Sequence, residues 1–174
     1  SGTLLDTARL RYGLSDHFKV AQKNIHAYVF GEHGDSSFVP WSKAAISTVN
    51  LDEYYEAMKA HGIDLGELDK DAMEEYVHKS GGKVIAKKGA TFYAVAVSVV
   101  EICRLVVAAS DSVATISTMM HGEYGIDDVC LSVLCLVGPD GVQGKIPMRL
   151  TDEEVAKLQS SANKLKEVIA QINI

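Results

Sequence analysis

Proline and cysteine are both scarce, at 3 each in 174 residues, and the 14 glycines follow no fixed period. That excludes collagen-like and low-complexity chains, and 47% hydrophobic with 23% charged residues fits one globular domain able to bury a core. Cys103, Cys130 and Cys135 lie in apolar stretches without the spacings that bind zinc or cycle as redox pairs, so three buried, reduced thiols are expected. No block of Lys and Arg exists to follow a phosphate backbone. The net charge of −6 comes from intermixed acids and bases, which argues against nucleic acid as a partner. There is no G-x-S-x-G elbow for a serine hydrolase and no G-x-G-x-x-G, the nearest glycine cluster being Gly138, Gly141 and Gly144 at a different spacing. The chain opens at Ser1 without a Met or a basic segment leading into an apolar core, from which a cytoplasmic protein is expected. The longest apolar stretch, Ala90 to Ala109, carries Glu101 and Arg104 at a spacing that pairs them on one helix face, and it reads as a buried helix.

What is present is a regular alternation of elements. Thr3 to about Phe18 has helix formers, no Pro, and a stripe of Leu5, Ala8 and Tyr12. Asn24 to Phe30 alternates as a strand, with Ile25, Ala27 and Val29 on one face and His26, Tyr28 and Phe30 on the other. It runs into Gly31-Glu32-His33-Gly34-Asp35, where glycines on both sides of a histidine allow a sharp bend, and a second strand around Phe38 to Ser42 is expected to return. From Asp52 to about Lys88 two or three helices are expected, interrupted at Gly62, Gly66 and Gly81-Gly82, the last one bent. Ser112 to Met119 and Val129 to Leu136 read as strands, and Gly138-Pro139-Asp140-Gly141 as a turn to a further strand. The last helix starts at a capping box, Thr151 with Glu154, and buries Val155, Leu158, Ala162, Leu165 and Ile169. Helices flanking a mostly antiparallel sheet make an α+β domain with a long C-terminal helix, spanning residues 1–174 without an internal linker.

Asp6 and Arg9 share a helix face, within reach of a common ligand; alone, such a pair is commonly a surface ion pair. Arg11 lies about 200° round the helix from Arg9 and points elsewhere. His33 stands in a turn, able to give or take a proton near neutral pH, and a carboxylate beside it, Asp6 or Asp35, would raise its pKa and fix its tautomer. Asp35, two residues away, suits equally the task of holding the loop backbone, and is assigned to it. A metal site from His26, His33 and Asp35 is conceivable but lacks a spacing that imposes coordination.

Leu5-Asp6-Thr7-Ala8-Arg9-Leu10-Arg11, Gly31-Glu32-His33-Gly34-Asp35-Ser36, Lys88-Gly89-Ala90-Thr91 and Tyr124-Gly125-Ile126-Asp127-Asp128-Val129 resemble, in order and spacing, successive motifs of the lactate/malate dehydrogenase family. The similarity runs from Ser1 through the last helix and covers only the family's C-terminal half. The resemblance implies that His33 is the proton donor and acceptor, Asp6 its orienting carboxylate, Arg9 the clamp on a substrate carboxylate, and Thr91 a residue lining the pocket beside the substrate's small side chain. It implies NAD as cofactor, held mainly by an N-terminal Rossmann domain absent from this chain. The arginine that polarises the carbonyl and the loop that separates pyruvate from oxaloacetate belong to that missing half. The segments around His33 and Thr91 are nearer the lactate branch, so pyruvate and L-lactate are the expected substrates, with malate dehydrogenase the alternative. Arg11 and His26 match positions where bacterial allosteric members bind fructose 1,6-bisphosphate across a subunit interface, which implies a homo-oligomer, a tetramer in the complete enzyme. Leu10 and Ala90 depart from the family pattern without touching these roles. The abrupt start inside a helical motif is expected of a fragment, inactive by itself; the rival class is a stand-alone binding or assembly module that catalyses nothing.

Overall fold

A computed structural model describes residues 1–108 and 110–172. Five α-helices and two three-stranded antiparallel sheets are formed among these residues, giving the α+β architecture read from the sequence. Helix α1 spans Leu4–Phe18. Its core side differs from the expected stripe: Asp6, Thr7, Leu10, Leu14 and Phe18 are buried, while Ala8 and Tyr12 face solvent. The reason lies in two threonines at its start. Thr3 Oγ1 donates to the Val29 carbonyl at 2.5 Å, and Thr7 Oγ1 accepts from the Val29 N–H at 3.0 Å. These bonds tie one side of the helix to the segment after it and turn Tyr12 outward.

The expected strand at Asn24–Phe30 is regular only over β1, Ile25–His26, paired with β2, Ala45–Ile46, which pairs in turn with β3, Val49–Asn50. Ile25, Ala27 and Val29 are buried as expected, and so is Phe30, because it makes an isolated antiparallel bridge with Phe38 beneath the histidine loop. No returning strand forms over Phe38–Ser42. Pro40 has no N–H to give a ladder, the Val39 N–H goes to Glu74 at 3.2 Å, and Trp41–Lys43 is a 3₁₀ turn.

Helix α2 runs Leu51–Ala60 and α3 runs Lys70–Lys88, so two helices fill the segment expected to hold two or three. The Gly81-Gly82 pair does not interrupt α3, which ends only at Gly89, in the left-handed conformation with φ 83°. Helix α3 packs on α1 at Gly13, where a Cβ would lie 2.6 Å from Met73 Sδ. Helix α4, Tyr93–Val107, holds the expected Glu101–Arg104 pair at 3.2 Å but is not buried: Ser98 is its one buried residue, and Val97 is 69% exposed. Ala109, the end of that apolar stretch, lies outside the described residues. No helix among the described residues is long and apolar enough to cross a membrane.

Strands β4, Ser112–His121, β5, Asp127–Gly138, and β6, Gly141–Lys145, form the larger sheet, with the expected turn at Gly138–Gly141. Of the cysteines only Cys135, on β5, is buried; Cys103 and Cys130 face solvent, and all three are free. Helix α5, Asp152–Ala170, begins with the expected capping box of Thr151 and Glu154. Leu158 and Ala162 are buried against the sheet, but Ile169 is 49% exposed because the helix runs past the sheet that covers its first half. One apolar cluster lies between β4, β5 and α5, the other between α1, β1, the loop around Val39 and the start of α2 at Leu51.

Candidate functional site

Where the two clusters meet, the chain between Phe30 and Phe38 leaves the core as a loop with His33 at its tip. Reciprocal backbone bonds close its base, Phe30 N–H to Phe38 O at 2.9 Å and Phe38 N–H to Phe30 O at 3.0 Å. Gly31 adds a bridge to Ser132 of β5 at 3.0 and 2.9 Å and adopts φ 97°, which a side chain disfavours. Gly34 needs no such conformation. The carboxylate that folds back on the loop is Glu32, not Asp35: Glu32 Oε1 accepts from the Ser36 N–H at 3.3 Å and from Ser36 Oγ at 2.5 Å. Asp35 is exposed and lines the cavity beside the loop.

That cavity, of about 280 Å³, is bordered by Asp6, Arg9, His33, Thr91, His78 and the Gly81-Gly82 pair, among others. Of the six residues to which the family resemblance gives a role it gathers four, Asp6, Arg9, His33 and Thr91. Asp6 lies at its centre with 7% of its side chain exposed; Oδ2 meets His33 Nδ1 at 2.6 Å and Oδ1 meets Arg9 NH1 at 3.1 Å. A carboxylate accepts only, so His33 Nδ1 carries a proton and Nε2 is left to exchange one. The His33 pKa is raised from its ordinary value, first by the hydrogen bond to Asp6 and further by that carboxylate's charge, against partial burial and the nearby Arg9. Arg9 is 17% exposed at its side chain and His33 60%, so one group is held firmly and the other stands at the mouth. Thr91 reaches the wall from the short link between α3 and α4, half-buried.

Arg11 and His26 lie elsewhere. Arg11 Nε donates to the Ala27 carbonyl at 3.1 Å, and its guanidinium covers the Tyr28 ring at 4.8 Å. With Lys23 it lines a separate cavity of about 330 Å³, which His26, exposed on β1, does not border. His26 therefore does not join His33 and Asp35, and no cluster able to hold a metal ion is present among the described residues.

Sequence reasoning missed His78 and the part played by the glycine pair. His78 Nε2 lies 2.9 Å from Ser37 Oγ and 3.1 Å from the Ser37 carbonyl. The Ser37 hydroxyl already donates to the Gly34 carbonyl at 2.9 Å, so His78 is the donor to both. A Cβ on Gly81 would lie 3.8 Å from the Arg9 guanidinium, and one on Gly82 would meet nothing within 4 Å. Two glycines inside a helix, where each costs about 1 kcal/mol relative to alanine, were the available signal of space reserved beside a site.

The family model for the lactate/malate dehydrogenase alpha/beta C-terminal domain matches residues 3–173. An L-lactate dehydrogenase of Acetivibrio thermocellus is 41% identical over 174 residues, covering 100% of this chain and 54% of its own length. One of Bacillus pumilus is 42% identical over 170 residues, 98% of this chain and 53% of the relative. Among solved structures, an L-lactate dehydrogenase from Clostridium thermocellum superposes with a TM-score of 0.87 at 36% identity, over 99% of this chain and 55% of that one. A lactate dehydrogenase from a Medee basin deep-sea metagenome library gives 0.89 at 32% identity, over 95% and 52%. The chain thus spans about half the length of the curated relatives it matches.

Proposed function

Because this chain belongs to the lactate/malate dehydrogenase family, as its α/β C-terminal domain, we propose that it is the substrate-binding and catalytic half of an NAD-dependent L-lactate dehydrogenase that interconverts pyruvate and L-lactate. The observation that carries this reading is the carboxylate of Asp6, shared between His33 at 2.6 Å and Arg9 at 3.1 Å on the wall of one cavity. The alternatives are a malate dehydrogenase of the same family and a non-catalytic module. The relatives' names favour lactate over malate, and a buried Asp6 shared by His33 and Arg9 beside a cavity favours chemistry over assembly.

The cofactor would come from a separate N-terminal Rossmann domain. The residues here fit only its reacting end: a cavity of about 280 Å³ has no room for a dinucleotide, there is no glycine-rich phosphate turn, and Ile85 and Val95 offer apolar wall to a nicotinamide. NAD, when bound, supplies or removes the hydride. Everything else asked of this chain is binding and proton transfer. The Arg9 guanidinium makes two parallel charge-assisted hydrogen bonds to a planar carboxylate, fixing the orientation of a 2-oxo acid where a lysine would fix only charge. Protonated His33 donates from Nε2 to the carbonyl oxygen as negative charge develops there, and neutral His33 takes the hydroxyl proton in the reverse direction. Asp6, bound at Nδ1, holds the ring in the tautomer that leaves Nε2 free and stabilises the imidazolium. Thr91 borders the substrate's small side chain.

For regulation, Arg11 and Lys23 facing one cavity, with His26 exposed nearby, support an anionic effector of the fructose 1,6-bisphosphate kind in a homo-oligomer such as a tetramer. Arg11→Gln in the complete enzyme is expected to abolish activation by that sugar bisphosphate; activation left intact refutes the effector reading. The catalytic reading is tested by NADH oxidation in the complete enzyme, pyruvate and oxaloacetate in parallel. His33→Asn should lower pyruvate turnover by about 10²- to 10⁴-fold, and an unchanged rate refutes the assignment.

A further inference from the structure

Ser161 lies on α5, 129 positions beyond Glu32, and is wholly buried in the face of the helix turned toward the histidine loop. Its Oγ accepts the Glu32 N–H at 2.9 Å and lies 3.0 Å from Ser36 Oγ. Proton accounting orders this network. The Ser36 hydroxyl donates its one proton to Glu32 Oε1, so the contact between the two serines runs from Ser161 to Ser36. Ser161 therefore accepts from the residue just before His33 and donates to the residue three places after it. The backbone comes in so close that a Cβ on Gly31 would stand 2.7 Å from Ser161 Oγ. The opposite side of the loop is latched by His78 to Ser37, whose hydroxyl holds the Gly34 carbonyl, and Ser161 straddles the tip from the helix side.

We infer that Ser161 is a positioning residue for the site, a hydroxyl on the C-terminal helix that spans the two ends of the His33 tip and so sets the distance of the imidazole from Asp6. The inference rests on the reading of His33 as proton donor. A bond of 2.6 Å between His33 and Asp6 tolerates little displacement, and the His33 side chain, 60% exposed, has few contacts of its own to hold it there. That hold comes from the loop, supported at its base by the bridge from Gly31 to Ser132 and at its tip by Ser161.

The test replaces Ser161 with alanine, which keeps the helix and removes only the hydroxyl. The His33 imidazole is titrated by NMR in this chain, with Ala162→Gly as a control that weakens the same helix turn while leaving the hydroxyl. In Ser161→Ala the His33 midpoint is expected to fall toward that of an ordinary imidazole, and in Ala162→Gly to stay where it is. In the complete enzyme, kcat for pyruvate should fall by up to about 100-fold with KM little changed, since Arg9 is untouched. A midpoint unchanged in Ser161→Ala, or moved equally by Ala162→Gly, overturns the inference. A fallen midpoint with unaltered turnover upholds the clamp and refutes instead the reading of His33 as proton donor.

Discussion

Replacing Gly31 by alanine should be among the costliest single-methyl additions in the molecule, and the size of the effect follows from two observations. The residue sits at φ 97°, where an L side chain stores about 1–3 kcal/mol of strain. The new Cβ would stand 2.7 Å from Ser161 Oγ and 3.3 Å from its Cβ, an overpacking of a kind that costs about 1–3 kcal/mol. Relaxation is blocked on the far side by the paired bonds to Ser132 at 3.0 and 2.9 Å. The sum is about 4 kcal/mol, a large share of the roughly 5–15 kcal/mol by which a domain of this kind is stable. Urea unfolding followed by circular dichroism should show a midpoint lowered by about 2 M for a slope of about 2 kcal/mol/M. The steric part can be isolated with Ser161→Gly: if the contact is as close as described, the double variant loses less than the sum of the single losses by about 1–3 kcal/mol. A Gly31→Ala loss below about 1 kcal/mol, or strict additivity in the cycle, would refute the reasoning.

Asp6→Asn removes the group that raises the His33 pKa, so the pH at which pyruvate reduction by the complete enzyme declines should move downward, and lactate oxidation, which needs the neutral ring, should become active at lower pH; pH–rate profiles in both directions check this. The same pair stabilises the fold below the ordinary imidazole pKa and loses that contribution as pH rises through the raised value; with His33 at 60% exposure solvent screening holds it to about 1 kcal/mol or less, and the slope should vanish in His33→Asn. Arg9→Lys keeps the charge but not the fork and should raise KM for pyruvate by about 10- to 100-fold in steady-state assays. Glu154→Ala should destabilise the chain by about 1–3 kcal/mol, since Ser42 and Thr151 lose their acceptor. Burial works to raise the Glu154 pKa, but hydrogen bonds from Thr151 and Ser42 outweigh it and lower the value, so the wild type should lose this contribution as pH falls through the carboxylate range while the variant does not.

The elements legible in the sequence are those whose cause is local. The capping box of α5 needs only Thr151 and Glu154, and the turn after β5 only Gly138 to Gly141; both stand where expected. The pairing of Asp6 with Arg9 was likewise visible from helical spacing, whereas the meeting of Asp6 with His33 rested on family resemblance, since 27 positions separate them. Local pattern failed where a distant partner decides. Ala8 and Tyr12 look like a core stripe until Thr3 and Thr7 are seen bonded to Val29. The apolar sequence of α4 suggested burial, but hydropathy records only that a surface avoids water, and nothing among the described residues covers most of it. Asp35 was a sound candidate for holding its loop; Glu32 does so instead because its longer side chain reaches Ser36. His78 and Ser161 could not have been found, since each acts on the loop from a helix far along the chain.

The bond between Ser161 and Glu32 also fixes an order in time. At roughly 5–20 residues per second, the ribosome adds Ser161 on the order of ten seconds after His33. Throughout that interval the histidine exists without the hydroxyl that holds its loop and, for most of it, without the β5 backbone that Gly31 bonds. A polypeptide released before Ser161 is added would carry His33, Asp6 and Arg9 in full and yet lack the hydroxyl that bonds Glu32 and Ser36. His33 is therefore made well before the hydroxyl that bonds its loop.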